Sequence, residues 1–174
     1  MTVRDLALSV VKHAAPEIIA TATLVVETGG QGLTEFTHEA GRFIADAGGN
    51  DGTLQLFLRH TSASLIIQEN ADPTVQTDLL TALERLAPAD AGWVHDTEGP
   101  DDMPGHVKSM ITGVSLHVPV IRGALALGTW QGLYVMEHRA QPHRREIVLQ
   151  FIGSRRGDRD RPSASAFNNK AEPV

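Results

Sequence analysis

The chain of 174 residues has no cysteine. That excludes a disulfide scaffold, a thiolate nucleophile, a cysteine zinc site and a cysteine-ligated iron–sulfur cluster. It has no excess of positive charge either. Fifteen Lys and Arg stand against 21 Asp and Glu, giving a formal net charge of −6 and a pI of about 5.7. A broadly basic nucleic-acid-binding surface is therefore not expected. No run reaches the ~20 apolar residues that a membrane-crossing helix needs. Residues 1–16 carry Arg4, Asp5, Lys12 and His13 and lack the basic start and unbroken apolar centre of a signal peptide. These absences predict a soluble, cytoplasmic protein with neither a nucleic-acid nor a membrane partner. Aromatic residues are few, at 5 %, whereas histidines number eight. Where those histidines sit becomes the leading question.

The chain has the length of one domain with some tail. Hydrophobic residues at 41 % and charged residues at 21 % are ordinary for a globular protein. Val3, Leu6, Val10, Val11 and Ala14 recur at helical spacing before Pro16, which predicts a lead-in helix within residues 1–17. A domain over 18–153 follows, and the polar stretch 154–174 is expected to be disordered. Within the domain, Thr21 to Thr28 and Leu33 to Phe36 read as strands. Thr37 is placed to cap a helix from His38 to Ala47, and Gly48 to Gly52 reads as a loop. Leu54, Leu56 and Leu58 alternate with less apolar neighbours in a strand that runs up to His60, and Ser64 to Gln68 forms another. Asp72 before Pro73 marks the start of a helix whose stripe is Val75, Leu79, Leu83 and Leu86.

Residues 88–106 have almost no periodicity and are rich in Asp, Gly and Pro, which predicts a long loop, a feature usually functional or disordered. Val107 to Ile111 reads as a short helix. Strands then follow at Ser115–Val120, Ala124–Leu127, Leu133–His138 and Arg145–Ile152, the first two joined by a hairpin turn at Ile121, Arg122 and Gly123. Strands come in runs rather than alternating with helices. The fold class is therefore α+β, with a mainly antiparallel sheet and two or three helices.

Four clusters could carry chemistry. His60-Thr61-Ser62 ends a strand, where a neutral imidazole can bind a divalent metal or move a proton, or can simply sit in a hydrogen-bonded surface turn. Glu69 and Asn70 lie between a strand and a helix. Glu69 is a possible general acid or base, with loop hydrogen bonding as the alternative. The acidic loop brings His95, Asp102 and His106. Three imidazoles, His60, His95 and His106, would leave a coordination position open, as catalytic zinc sites do, although no short spacing supports the grouping and a solvated loop is the other account. The carboxylates suit magnesium and the imidazoles zinc, so the divalent metal stays open between the two. Thr129, Trp130 and Gln131 lie between flanking glycines, where backbone and side chains could meet phosphate oxygens or form a plain hairpin. Glu137 shares strand parity with Leu133 and Val135, but both faces of that strand are apolar, and the buried one is undecided. The small basic group Arg139, His143, Arg144 and Arg145 reads as a solvated strand end.

Three strings, HTSASLIIQENADP at 60–73, HDTEGPDDMPGHVKSMITG at 95–113 and LGTWQGLYVMEHR at 127–139, resemble in order and spacing the YjbQ-like family, described as secondary thiamine-phosphate synthases. The resemblance covers roughly residues 20–153. It departs at Gly105, where the family usually has Ala, and at Ala63 and Met136, where some relatives carry Cys. It implies a β-sandwich-like domain that assembles as a homotrimer with a pocket near subunit contacts. It carries the family's polar positions onto His60, Thr61, Ser62, Glu69, Asn70, Asp102, His106, Lys108, Thr129, Trp130, Gln131 and Glu137. In those terms Glu69, Asn70, Asp102 and Glu137 would serve catalysis. Thr61, Ser62, Lys108, Thr129, Trp130 and Gln131 would hold a phosphorylated small-molecule substrate. The implied reaction joins a pyrimidine-methyl diphosphate to a thiazole phosphate and releases diphosphate. A metal-dependent phosphate-ester hydrolase and a non-enzymatic metal- or small-molecule-binding module are the alternatives.

Overall fold

A computed structural model describes residues 8–157. The elements in chain order are β1 (Ile18–Glu27), β2 (Gly32–Glu35), α1 (Thr37–Asp46), β3 (Gly49–Leu58), β4 (Ala63–Glu69), α2 (Pro73–Leu86), α3 (Asp102–Thr112), β5 (Ser115–Ile121), β6 (Ala124–Leu125), β7 (Gln131–Glu137) and β8 (Arg144–Arg155). They form a five-stranded sheet, β1-β8-β3-β5-β6, and a three-stranded sheet, β2-β7-β4. Every pairing is antiparallel. The α+β expectation with mainly antiparallel strands holds, with three helices. None of the described helices is long and apolar enough to cross a membrane.

Strand parity builds the core. In β8 the inward positions are Arg145, Ile147, Leu149, Phe151 and Gly153, and each outward neighbour between Arg145 and Gly153 is only partly buried. Leu54, Leu56 and Leu58 of β3, Val118 and Val120 of β5, and Ala63, Leu65, Leu133 and Val135 of the smaller sheet meet those side chains in one apolar cluster. Ala40 and Ile44 of α1 join it. Each large aliphatic side chain buried there contributes about 1.5–3 kcal/mol. β3 and β8 approach unusually closely at Gly52 and Gly153. A Cβ at either would run into the partner strand's backbone, and the Phe151 ring lies over both. The register also shifts between Gly49 and Gly52.

β7 is the middle strand of the smaller sheet and is buried on both sides, which is why its sequence shows no apolar alternation. Leu133, Val135 and Glu137 face the shared core. Tyr134, Met136 and His138 lie on the other side, which α3 covers through Ser64 and Thr112. The Arg122-Gly123 turn has φ of 52° and 76°, the mirror-image turn that two-residue hairpins favour.

Several expectations are corrected. Residues 8–17 form no helix, and residues 1–7 lie outside the described residues. Leu8, Val10 and Val11 stand exposed with nothing to pack against, and adjacent β-branched valines add little helix propensity. Thr37 does not cap α1. Its hydroxyl donates to Glu35 Oε1 at 2.7 Å and accepts the Leu133 N–H at 2.8 Å, while Phe36 occupies the cap position. Gly49 to Gly52 are strand rather than loop. Asp102 to His106 are the opening turns of α3 rather than the end of a loop, with Pro104 tolerated because it sits in the first turn. β8 continues through Ser154 and Arg155, so only residues 158–174 of the expected disordered tail lie outside the described residues.

Candidate metal centre

The helical start at Asp102 changes what the acidic segment can do. Asp102 and His106 are four residues apart, so on a helix they share a face. The loop before α3 brings His95 to the same point. His95 Nε2 lies 2.8 Å from Asp102 Oδ2, and His106 Nε2 lies 3.3 Å from the same oxygen. The two imidazole centroids are 5.6 Å apart. One nitrogen of each histidine and a carboxylate oxygen of Asp102 all lie within 4.8 Å of one another. Among the described residues this is the group whose donor atoms could close on a single ion.

The surroundings orient these donors. His106 Nδ1 is 3.1 Å from the Thr61 carbonyl, which can only accept, so the proton belongs on Nδ1 and the Nε2 lone pair faces the group. Asp102 is 2 % exposed. Its second oxygen, Oδ1, accepts from Arg139 Nη1. Arg139 also donates from Nη2 to the Glu98 carbonyl at 2.6 Å, and its Nε lies 3.2 Å from Asp101 Oδ2. The Asp101 carboxylate also accepts the Ala140 N–H at 2.7 Å. Burial pushes the Asp101 carboxyl up, and the Ala140 N–H and Arg139 outweigh it, leaving the group below its ordinary value. One arginine thus fixes the last turn of the loop and the carboxylate of the cluster. Trp93 Nε1 anchors the loop's beginning on the Pro88 carbonyl at 2.8 Å.

His60 is not in the cluster. Its Nε2 accepts the Glu146 N–H at 2.9 Å, so the neutral ring carries its proton on Nδ1. Burial, followed by the nearby Arg145 charge, lowers its pKa and favours that neutral form. Asp102 takes the third position that His60 was expected to fill. His60 and His106 nevertheless line the same polar cavity of about 370 Å³, together with Arg59, Thr61, Ser62, Glu98, Asp102, Arg139, His143 and Arg145. An apolar groove of about 710 Å³, walled by Phe57, Val114 and Met110, shares Arg59, His60, Thr61 and His106 with it.

The remaining expected residues divide three ways. Glu137 is 1 % exposed and fully engaged. Arg145 donates to it from Nε at 2.7 Å and from Nη2 at 2.5 Å, the Thr28 hydroxyl donates at 2.9 Å, and the Arg139 N–H at 3.0 Å. Burial raises its pKa, but those donors more than offset that and leave it below the ordinary value. Its oxygens have no proton to trade, and its role is to hold Arg145. Lys108 is buried and its Nζ lies 2.6 Å from Glu84 Oε2 of α2, turned away from the cluster. Glu69, Asn70, Thr129, Trp130 and Gln131 gather at the far end of the smaller sheet. There Glu69 pairs with Gln131, and the Asn70 N–H donates to the Trp130 carbonyl at 3.1 Å. Gln131 Oε1 accepts the Gly128 N–H at 2.8 Å, which is hairpin bonding. Six strand steps from Ala63 to Glu69, at ~3.3 Å each, put that end ~20 Å from the cluster. The functional residues that sequence reasoning missed are Arg139, half-buried, and Arg145, buried, both ion-paired rather than solvated.

The family model for UPF0047 protein YjbQ-like matches residues 22–154. A relative in Synechocystis, UPF0047 protein sll1880, is 47 % identical over 131 residues, covering 75 % of this chain and 89 % of its own. YjbQ of Escherichia coli O157:H7 is 42 % identical over 132 residues, covering 75 % and 96 %. Among solved structures, a YjbQ/UPF0047 family protein of Clostridium acetobutylicum is similar with a TM-score of 0.71 at 30 % identity. It covers 75 % of this chain and 99 % of its own. The hypothetical protein APE1520 of Aeropyrum pernix has a TM-score of 0.72 at 26 % identity, covering 78 % and 99 %.

Proposed function

The chain belongs to the UPF0047 YjbQ-like family, and from that premise we propose that it is a metal-dependent enzyme acting on a phosphorylated small molecule. The observation that carries the reading is the convergence of His95, Asp102 and His106 with donor atoms within 4.8 Å of one another. The group fits a metal by more than proximity. With its proton on Nδ1, His106 turns the Nε2 lone pair toward Asp102 Oδ2, an acceptor, and a divalent cation between the two would be held by both, as a proton on Nε2 also would be. Two imidazoles and one carboxylate favour zinc and its neighbours over magnesium. Bound there, such an ion would supply Lewis acidity to a phosphoryl oxygen. Arg59 and Arg145, in the same cavity, supply positive charge where a leaving phosphate or diphosphate gathers negative charge. The adjoining groove offers Phe57, Val114 and Met110 to the uncharged part of the same molecule.

Thiamine-phosphate synthesis is the finer form of this proposal, supported by the family resemblance and by a site suited to diphosphate departure. A homotrimer in the cytoplasm belongs with it. The two polar ends of the smaller sheet are too far apart to touch one small ligand within a chain, and a neighbouring copy is the simplest way to join them. A second reading, a zinc-dependent phosphate-ester hydrolase, is favoured by the donor set, since two histidines and a carboxylate also serve hydrolytic zinc enzymes.

The test is metal analysis of protein purified without chelator or affinity metal, repeated on Asp102→Asn and His106→Ala. Stoichiometric zinc or a similar ion in the wild type, reduced at least about tenfold in both folded variants, supports the reading. Turnover of pyrimidine-methyl diphosphate with thiazole phosphate then separates the synthase from the hydrolase, which would release phosphate from simple esters. Equal metal content in wild type and variants removes the centre. Metal bound without turnover on either substrate set leaves a binding module.

A further inference from the structure

Arg145 as a residue is 4 % exposed. Its Nε and Nη2 are bound to Glu137, and Nη2 also reaches Ser62 Oγ at 3.2 Å. Its third nitrogen, Nη1, has no partner among the described residues, while Arg145 lines the polar cavity. Nη1 is not among the buried atoms without a partner, so it opens onto the cavity, where a charged donor on an otherwise buried side chain can meet an acceptor. Its neighbours on the wall are donors as well. The Nδ1–H of His60 is free because Nε2 accepts from Glu146. The Ser62 hydroxyl accepts from Arg145 and so keeps its own hydrogen to give. Arg59, more than half exposed, is held only by a 3.4 Å contact to Glu146. Of the carboxylates nearby, Glu137 is paired with Arg145, Asp102 with Arg139, and Glu146 with Arg59 and Arg144, while Glu98 lines the cavity as an exposed side chain whose carbonyl Arg139 holds.

We infer that this wall of the cavity is a phosphate subsite, built on Arg145 Nη1 with the Ser62 hydroxyl, His60 Nδ1–H and Arg59 as its further donors. Four donors on separate side chains suit the several oxygens of a phosphate better than the two of a carboxylate. The subsite deepens the reading above, on which its purpose rests, and replaces the expected Lys108, which Glu84 occupies. It also explains why Arg145 needs so complete a set of bonds to Glu137. A fork held from one side presents its remaining nitrogen in a fixed direction.

The experiment is isothermal titration of the metal-free full-length protein with inorganic phosphate and, at matched ionic strength, with acetate. Phosphate should bind and acetate should bind at least tenfold more weakly. Arg59→Ala, which touches no core contact, should weaken phosphate about tenfold or more. Arg145→Lys, which keeps a charge for Glu137 but withdraws Nη1, should do the same, and the distant Arg85→Ala should change nothing. Asp102→Asn should lose zinc and retain phosphate, so the metal centre and the subsite fail separately. Phosphate affinity unchanged in Arg59→Ala, acetate binding as tightly as phosphate, or no phosphate binding at all would each overturn the assignment.

Discussion

Glu137 lies in the strand that bears the smaller sheet's core face, and the geometry makes it a holder of Arg145 rather than a proton donor. That distinction can be measured. Glu137→Ala removes the acceptor of four hydrogen bonds and leaves Arg145, 4 % exposed, without a counter-charge. Breaking a buried pair from one side costs about 3–5 kcal/mol, a large part of the ~5–15 kcal/mol that stabilises a domain. Replacing both partners, as in Glu137→Leu with Arg145→Met, should recover most of that loss, because no charge is left unpaired. Urea denaturation at one fixed protein concentration gives both quantities. The pH dependence supplies an independent check. The folded-state pKa of Glu137 is depressed, so its stabilisation is present above the ordinary value of 4.5 and is lost as pH falls through the lowered value. The wild type should therefore lose stability more steeply than the double variant below pH 4.5. A Glu137→Ala variant within about 1 kcal/mol of wild type, or a double variant as unstable as the two single losses added together, would refute this account.

His138 works in a different pH window. Burial, with Lys108 nearby, lowers its pKa from 6.5 to about 4, so the unfolded chain takes the proton first. Stability should be full above pH 6.5 and fall between 6.5 and about 4, by an amount on the order of 3 kcal/mol; denaturation across that range should flatten in His138→Gln. Gly105 sits inside α3, where a Cβ would meet Ser62 Cβ at 3.3 Å and Arg139 Cδ at 3.4 Å. Gly105→Ala should raise stability by roughly 0.5 kcal/mol, the helix gain of about 1 kcal/mol less some crowding; a lower melting temperature would show that Ser62 cannot give way. Trp130→Ala and Gln131→Ala should leave metal content at the candidate His95, Asp102 and His106 centre unchanged if no neighbouring copy brings their end of the sheet to it. A change, measured beside the oligomeric state in the ultracentrifuge, would place that end of a neighbouring copy at the candidate centre.

The strands were legible because alternation survives in β3 and β5, where one sheet face meets the core and the other does not, and because β8 reads as an apolar run from Ile147 to Ile152 broken only by Gln150. β7 was readable as a strand but not as a face, since Leu133 to Met136 are buried on both sides. Residues 8–17 misled because helical spacing alone says nothing about whether a surface exists to receive the apolar side. The turn at Asp102 was hidden by composition. Asp, Pro and Gly mark loops, yet Asp and Pro are also the residues that a first helical turn accepts. Once 102–106 is helical, the D-x-x-x-H spacing becomes the signal that the histidine pattern lacked.

Arg145 was also within reach of the sequence. It shares parity with Ile147, Leu149 and Phe151, the buried side chains of the strand, so alternation along it would have pointed inward. Its charge argued for solvent, and a single strand cannot show that Glu137 waits on the opposite sheet at the same depth. Buried ions are decided by pairs, and pairs between sheets depend on how the sheets meet, which local pattern does not encode. The same reasoning explains why the charged side chains collect at this end of the molecule. Glu137 and Arg145 close the core between the sheets, Arg139 leaves β7 just beyond them, and α3 delivers Asp102 and His106 to that edge. The apolar core ends where its first paired charges begin, and those charges in turn fix the carboxylate and the guanidinium that face the cavity.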